Sequence, residues 1–517
     1  MSTISARLRL WFNEWGLIAA FAIVKLLLHF LTNTIYEVHR DGLLYIELGK
    51  HMSWGFMSVP PSIAVFASIS RLLFDDTAFG INFFPAIIGA SSLIIIGIMV
   101  KEMGGNKMAQ FIALLAYLVS PAFLRSNSLF QPVSFDEFYW LLIAFLVFRL
   151  INTEKPMYWI WIGVTAGAAF LNKYLVVFFL IGLVVSIFLS PLRKWLRSPY
   201  PYIGALIALL IALPNLIWQY RHDWPVVNHM RELTENQLVN VRIDVFLLEQ
   251  IWMNFPVILI WIPGLIFILF FREGIKYRIF GFAYLFTILL LIIFRGKHYY
   301  TLGLYPMLFA FGGFALVRWF RGKLVATRYV VIAFAIIIGI LGIPLSLPIL
   351  KPESFIRYSR IVGLENSQRW EEGEYHELPQ DYADMIGWKE LSGIVSEAYN
   401  SLTPAEKERC TIFANNYGEA GAINFYGKKL GLPTAISFSD SYLYWAPDSI
   451  RGDCLIKIGE SDDIIGMYND VRIVGRISTP HAREFGVPVY LFKDPKMDFS
   501  GYYKMRLKQF KDNPYAE

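Results

Sequence analysis

About eleven mainly apolar stretches recur along the 517 residues, near 15–34, 79–100, 107–124, 135–152, 157–172, 174–191, 201–219, 245–271, 278–294, 300–319 and 327–349. Roughly 20 apolar residues in a helix cross a hydrocarbon layer of ~30 Å. Inside lipid every backbone polar group needs an internal partner, so a chain with this many runs is expected to fold as a polytopic α-helical membrane protein. The fifth and sixth runs are separated only by "LNKY" (171–174), which reads as a tight helical hairpin, with one long bent helix as the competing reading. Charged residues make up 17% of the chain, against about a quarter in soluble domains.

The net charge of +6 falls in short bursts between apolar runs, a topology signal and not a nucleic-acid surface. Arg7 and Arg9, Lys101 and Lys107, Arg149 and Lys155, Arg193, Lys194 and Arg197, Arg272, Lys276 and Arg278, and the 318–328 group all fall on one side. That side is predicted to be cytoplasmic. No small-residue cleavage pattern follows the first run, which therefore reads as an anchor. An odd number of spans then puts the tail from about residue 350 outside, together with Asp41.

The loops on that outer side are long and chemically mixed: 35–78, "RSNSLFQPVSFDEF" (125–138), "NKY" (172–174), "RHDWP" and its continuation (221–244), and "RGKHYY" (295–300). Within 35–78, "GLLYIELGKHMSWGF" and "SIAVFASISRLLF" have polar and apolar positions at helical spacing, as in two amphipathic helices lying in the membrane interface.

A first span followed by Asp41, Tyr45 and "WGFMSVPP" resembles the dolichyl-phosphate-mannose-protein mannosyltransferase-like family, of the GT-C fold. The likeness continues in "SPAFLRSNSLFQPVSFDEFYW", "GVTAGAAFLNKY", "RHDWP", "GKHYYTLGLYP" and "NNYGEAGAINFYGKKLGLP", in the same order along nearly the whole chain. The resemblance implies a bacterial enzyme that takes a sugar from a polyprenyl phosphate, undecaprenyl phosphate in bacteria, at the outer face of the cytoplasmic membrane. Two positions depart from it. Gly42 stands where many relatives have a second acid, and Val59 and Pro60 occupy the stretch where some lipid A aminoarabinose transferases carry a lysine.

A sugar joined through phosphate carries its own leaving group, so an acceptor hydroxyl or amine needs a base and an aligned approach. Position at the membrane exit and the resemblance both point to Asp41 as that base; the alternative is a helix N-cap. Tyr45, one turn on, is a candidate for binding sugar or acceptor. Asp136, matched by an acid in relatives, is the second catalytic candidate, and Glu137 the next acceptor contact. A carboxylate at a helix N-terminus is also favourable in its own right.

For the departing phosphate the candidates are Lys297, His298 and Tyr300, with Arg221 and Lys173; His222 is grouped with the acceptor. The opposing reading is snorkelling, an interfacial tyrosine belt, ordinary loop charges and, for Lys173, a turn. Lys25 and His29, four apart in the first span, read as a polar contact between helices. No metal cage or cofactor motif is present; a divalent cation between carboxylates is possible on charge grounds.

Beyond residue 350 the apolar runs shorten. "CTIFAN", "TAISFS", "CLIKIG", "VRIVGRI" and "VPVYLF" read as strands and "EAGAINFYGKKLG" as helical, giving a soluble α/β domain over 350–517 behind a membrane domain over 1–349. The two cysteines, Cys410 and Cys454, each open a strand and could pair or stay as thiols. The expectation is an inverting glycosyltransferase with a polyprenyl-phosphate donor and a lipid, glycan or protein acceptor; the rivals are a lipid or solute transporter or flippase, and a scaffold for the soluble domain.

Overall fold

The computed structural model describes residues 2–365 and 367–513, with side chains from Glu14 onward, so the side chains of Arg7 and Arg9 lie outside the described residues. Helix covers each of the eleven apolar segments. Among the described residues six helices are long and apolar enough to cross a membrane, and up to eight if two bent pairs each make one span. The difference from eleven has physical causes. Lys107–Val119 and Met157–Asn172 have 13 and 16 residues, and Pro132–Thr153 holds Asp136, Glu137 and Arg149 along its 22. Ile243–Trp252 meets Phe255–Phe270 at 62°, with Pro256 opening the second piece.

"LNKY" does break the chain into two helices, Met157–Asn172 and Val176–Phe188. They take different neighbours: the first packs on Pro132–Thr153 and Tyr200–Arg221, the second on Arg278–Ile293. A Cβ at Gly163 would lie 2.1 Å from the Gly204 carbonyl, so only glycine permits the first of these crossings. Lys25 and His29 bind inside the bundle, Lys25 Nζ to the Phe123 carbonyl at 2.7 Å and His29 Nε2 to that of Leu124 at 3.2 Å, which joins the first helix to Pro121–Ser126.

The strands are β1 (Gln368–Arg369), β2 (Tyr375–His376), β3 (Cys410–Ala414), β4 (Cys454–Ile458), β5 (Tyr468–Arg476) and β6 (Pro488–Pro495). β1 and β2 form a small ribbon; the main sheet has the order β3-β4-β6-β5, with β3 and β4 parallel and the other pairs antiparallel. "TAISFS" is not a strand: it makes only an isolated bridge, Ile436 to Phe413. Cys410 and Cys454 are register partners on β3 and β4, their sulfurs 2.9 Å apart as free thiols.

Both helices expected between 35 and 78 form, as Arg40–Lys50 and Ser62–Phe74. Ser62–Phe74 keeps an exposed apolar face with Val65, Ile69, Leu72 and Leu73. Arg40–Lys50 does not have the free face of an interfacial helix, because Gly42 through Leu48 are all buried. Its Leu43, Leu44, Ile46 and Leu48 share one core with Trp388, Leu391, Ala420 and Ile423 of the C-terminal α/β region. The loop after the first helix is thereby clamped under the sheet.

Candidate active site between the bundle and the α/β region

Asp41 lies in the first turn of Arg40–Lys50, but it is not the cap. His39 takes that place, its Nδ1 3.1 Å from the Asp41 backbone nitrogen. The Asp41 carboxylate is left to make tertiary contacts. Its Oδ2 accepts from Gln131 Nε2 at 2.8 Å and its Oδ1 from the Tyr417 hydroxyl at 2.9 Å.

Tyr417 opens the helix Tyr417–Phe425, whose start is fixed by a capping box between Asn416 and Glu419. Two glycines let this helix approach closely. A Cβ at Gly418 would stand 2.7 Å from Arg40 Cγ and one at Gly421 2.7 Å from Leu43 Cβ. "NNYGEAG" is therefore a docking device that brings Tyr417 to Asp41. Arg40 crosses the Tyr417 ring at 4.7 Å.

Asp41 faces a cavity of about 500 Å³. Bundle residues give it an apolar side, among them Pro121, Val133, Trp252, Met253, Leu302 and Leu345; charged groups close the other, namely His39, Arg40, Arg125, Glu371, Asp381, Asp384 and Arg483. His39 Nε2 is 3.8 Å from both Asp381 Oδ1 and Asp384 Oδ2, Arg125 Nε is 3.4 Å from Asp381 Oδ2, and Arg483 Nη1 is 3.6 Å from Asp384 Oδ2. Arg125 Nη2 and Arg40 Nε are buried without a hydrogen-bond partner.

These ions shift one another. Burial presses the His39 imidazole down, but contact with Asp381 and the charges of Asp41 and Asp384 outweigh it and raise its pKa to about 9. Burial also works to raise Asp381, yet Arg125 and His39 hold it at about 2. Asp384 is pushed up to about 6 by burial, against the pull of His39, Arg483 and Arg40.

Of the predicted site residues, Asp41 and His298 line this cavity. Lys173 stands behind, its ammonium 4.9 Å over the Tyr300 ring and 5.6 Å over Tyr299, with Asp136, Lys297 and Asp41 in electrostatic range. Asp136 accepts from Trp140 Nε1 at 3.2 Å. Lys297 is tied to Gln237 Oε1 at 2.6 Å and to the Glu371 carboxylate of the α/β region. Tyr45 is buried against Phe130 one turn from Asp41.

Glu137 points elsewhere, into a buried network with Ser126 and Asn127, where Asn127 also receives the Tyr117 hydroxyl. Arg221 and His222 are exposed and line neither this cavity nor its neighbour; His222 stacks on Trp218 at 4.0 Å and meets Tyr444 edge-on. Sequence reasoning missed Gln131, Tyr417, His39, Arg40 and Arg125. "HRD" and the arginine of "AFLRSN" carried a signal, as charges placed directly beside a candidate acid or at a span end; Gln131 and Tyr417 lay inside stretches that carry the resemblance, but nothing there paired them with Asp41. Among the described residues no group of three or more His, Cys, Asp or Glu side chains is arranged to hold a metal ion.

Residues 58–218 match the model of the family described as dolichyl-phosphate-mannose-protein mannosyltransferase. A lipid A galacturonosyltransferase, RgtD, of Rhizobium johnstonii is 23% identical over 194 residues, 37% of this chain. The chain spans 41% of the length of that curated relative. The structure of ArnT from Cupriavidus metallidurans bound to undecaprenyl phosphate superposes with a TM-score of 0.63 at 13% identity, over 92% of this chain and 98% of that one. The apo form of that protein gives 0.59 over the same shares. The chain thus resembles the dolichyl-phosphate-mannose-protein mannosyltransferase family over 58–218 and shares the ArnT fold along almost its whole length.

Proposed function

We propose that the protein is an inverting glycosyltransferase that moves a sugar from a polyprenyl phosphate, of the undecaprenyl type, to a lipid, glycan or protein acceptor at the outward face of a bacterial cytoplasmic membrane. The observation that carries this reading is the two-sided cavity. An apolar wall from the bundle and a charged cap, in which Arg125, His39, Arg40 and Arg483 stand among Glu371, Asp381 and Asp384 and two arginines keep a buried donor without a partner, suit a phosphate on an apolar tail, with Asp41 on the same wall. The relatives support it: one is named as a lipid A galacturonosyltransferase, and the other was solved with undecaprenyl phosphate bound.

In the transfer step the Asp41 carboxylate takes the proton of an acceptor hydroxyl as that oxygen attacks the anomeric carbon. The new C–O bond forms while the bond to phosphate breaks, and the polyprenyl phosphate leaves with the electron pair. Attack opposite the phosphate inverts the anomeric centre. Gln131 and Tyr417 fix the carboxylate's orientation from two elements. Arg125 has an unpaired buried Nη2 to offer the phosphate. A base of this kind contributes ~10²- to 10⁴-fold. His298 is assigned to the phosphate side of the cavity, with Lys297, Tyr300 and Lys173 behind it, while Tyr45 and Asp136 lie outside the lining as positioning candidates.

The test is transfer by purified protein in lipid nanodiscs from polyprenyl-phosphate sugars to membrane lipid extracts, with product anomers read by NMR, with and without a chelator. Inverted product supports the reading. Retained configuration, or lipid translocation in vesicles without transfer, contradicts it.

A further inference from the structure

A second cavity, of about 710 Å³, adjoins the first and shares Arg40, Gln237 and Tyr417 with it. Tyr417 is hydrogen-bonded to Asp41, so one side chain separates this space from the carboxylate. The transfer reading above places no part of the donor in it. Its size falls within the ~300–1,000 Å³ common for small-ligand sites.

The chemistry of its wall is distinctive. Aromatic rings of the segment beside β3 and of the C-terminal helix, Phe438, Tyr502 and Tyr503, line it together with four carboxylates, Glu232, Asp440, Glu460 and Asp463. Three cations oppose them: Lys457, hydrogen-bonded to Asn415, Arg40, which lies over Tyr417, and Arg506, bonded to Gln509. Asp463 accepts from the Tyr502 hydroxyl at 2.5 Å. Asp440 is held at φ 50°, in the left-handed region, with its Oδ1 accepting from Ser441. Backbone held there in a non-glycine residue gathers at functional sites.

We infer that this cavity seats the acceptor, and that the end it seats is a neutral, polyhydroxylated sugar. Aromatic faces pack on the C–H faces of a sugar ring, while carboxylates and amides pair with hydroxyls that would otherwise lose water unpaired. A phosphorylated glycolipid headgroup would meet four carboxylates against the three cations Arg40, Lys457 and Arg506, and like charges disfavour such a partner. The unpartnered Arg40 Nε, at the junction of the two cavities, is a donor for the attacking sugar's oxygens. This inference rests on the transfer reading above.

The experiment uses the full chain in nanodiscs, titrated with neutral hexose di- and trisaccharides and with a bisphosphorylated glucosamine disaccharide, binding being followed by saturation-transfer NMR. Undecaprenyl phosphate binding is measured on the same samples. Neutral sugars should bind in preference to the phosphorylated one, and Asp440→Asn should weaken them about tenfold or more, with undecaprenyl phosphate binding unchanged. Tyr502→Phe is a second, milder probe of the same wall. Preference for the phosphorylated disaccharide, or neutral-sugar binding indifferent to both variants, overturns the inference. So does the absence of neutral-sugar binding in protein that binds undecaprenyl phosphate. Failure of the wild type to bind undecaprenyl phosphate tells against the transfer reading itself, and this inference goes with it.

Discussion

Tyr417 donates a 2.9 Å hydrogen bond to Asp41 from 376 residues away, so the α/β region contributes directly to the geometry of an acid in the loop after the first helix. Tyr417→Phe keeps the ring packed on Arg40 and removes only that hydroxyl. Turnover should fall ~10- to 100-fold with little change in donor affinity, since a hydrogen bond to a charged group, ~1.5–3 kcal/mol, orients the carboxylate. The check is kcat and donor KM measured separately. A rise in donor KM at constant kcat would show that the hydroxyl serves binding instead.

Arg125, like Arg40, keeps a buried donor without a partner, and of the two only Arg125 lines the first cavity alone. Arg125→Met should raise the donor KM by ~10- to 100-fold, the range for hydrogen bonds to charged groups. Arg125→Lys should recover little of this, because an ammonium cannot reproduce the guanidinium's fixed, planar donors. Equilibrium binding of undecaprenyl phosphate reads both variants.

The ion cluster around His39 links the loop to the α/β region and titrates. Its pKa in the folded protein, about 9, is raised above the ordinary value of 6.5. A raised folded-state pKa gives stability that is fully present below about 6.5 and is lost as pH rises through about 9. Thermal unfolding in detergent should therefore show the midpoint dropping between pH 7 and 9.5. His39→Gln should start lower and lose most of that slope, while an unchanged slope would remove His39 as its source.

The bundle was legible because lipid demands long apolar runs, and every predicted run became helix. Fewer than eleven helices among the described residues are by themselves long and apolar enough to cross, because Lys107–Val119 is short and Pro132–Thr153 carries three charges, features that a count of apolar runs does not register. Asp41 could be singled out from its position and the family resemblance, yet its partners could not. Gln131 and Tyr417 lie 90 and 376 residues away, and only the docking of Tyr417–Phe425 through Gly418 and Gly421 brings the latter close. Arg40–Lys50 showed helical spacing, but pattern cannot tell a face meant for lipid from one covered by a distant sheet. The strand reading of "TAISFS" failed for the same reason: its apolar residues pack beside β3 without entering the ladder.

Lys297 joins the bundle to the α/β region through Glu371. Glu371→Gln should free Lys297 for the phosphate and tighten undecaprenyl phosphate binding several-fold, whereas Lys297→Met should weaken it. A double-mutant cycle separates the tie from a direct phosphate contact: purely additive effects would mean that the two side chains act independently.

The most direct test of the central claim compares wild type with Asp41→Asn in nanodiscs, measuring sugar transfer from a polyprenyl-phosphate donor and undecaprenyl phosphate binding on the same preparations. Asparagine keeps the shape and can still pair with Gln131 and Tyr417, but cannot take the acceptor's proton. Transfer should fall by ~10²- to 10⁴-fold with binding nearly intact. Transfer by the Asp41→Asn protein at the wild-type rate would contradict the assignment and move the search for the base to Asp136.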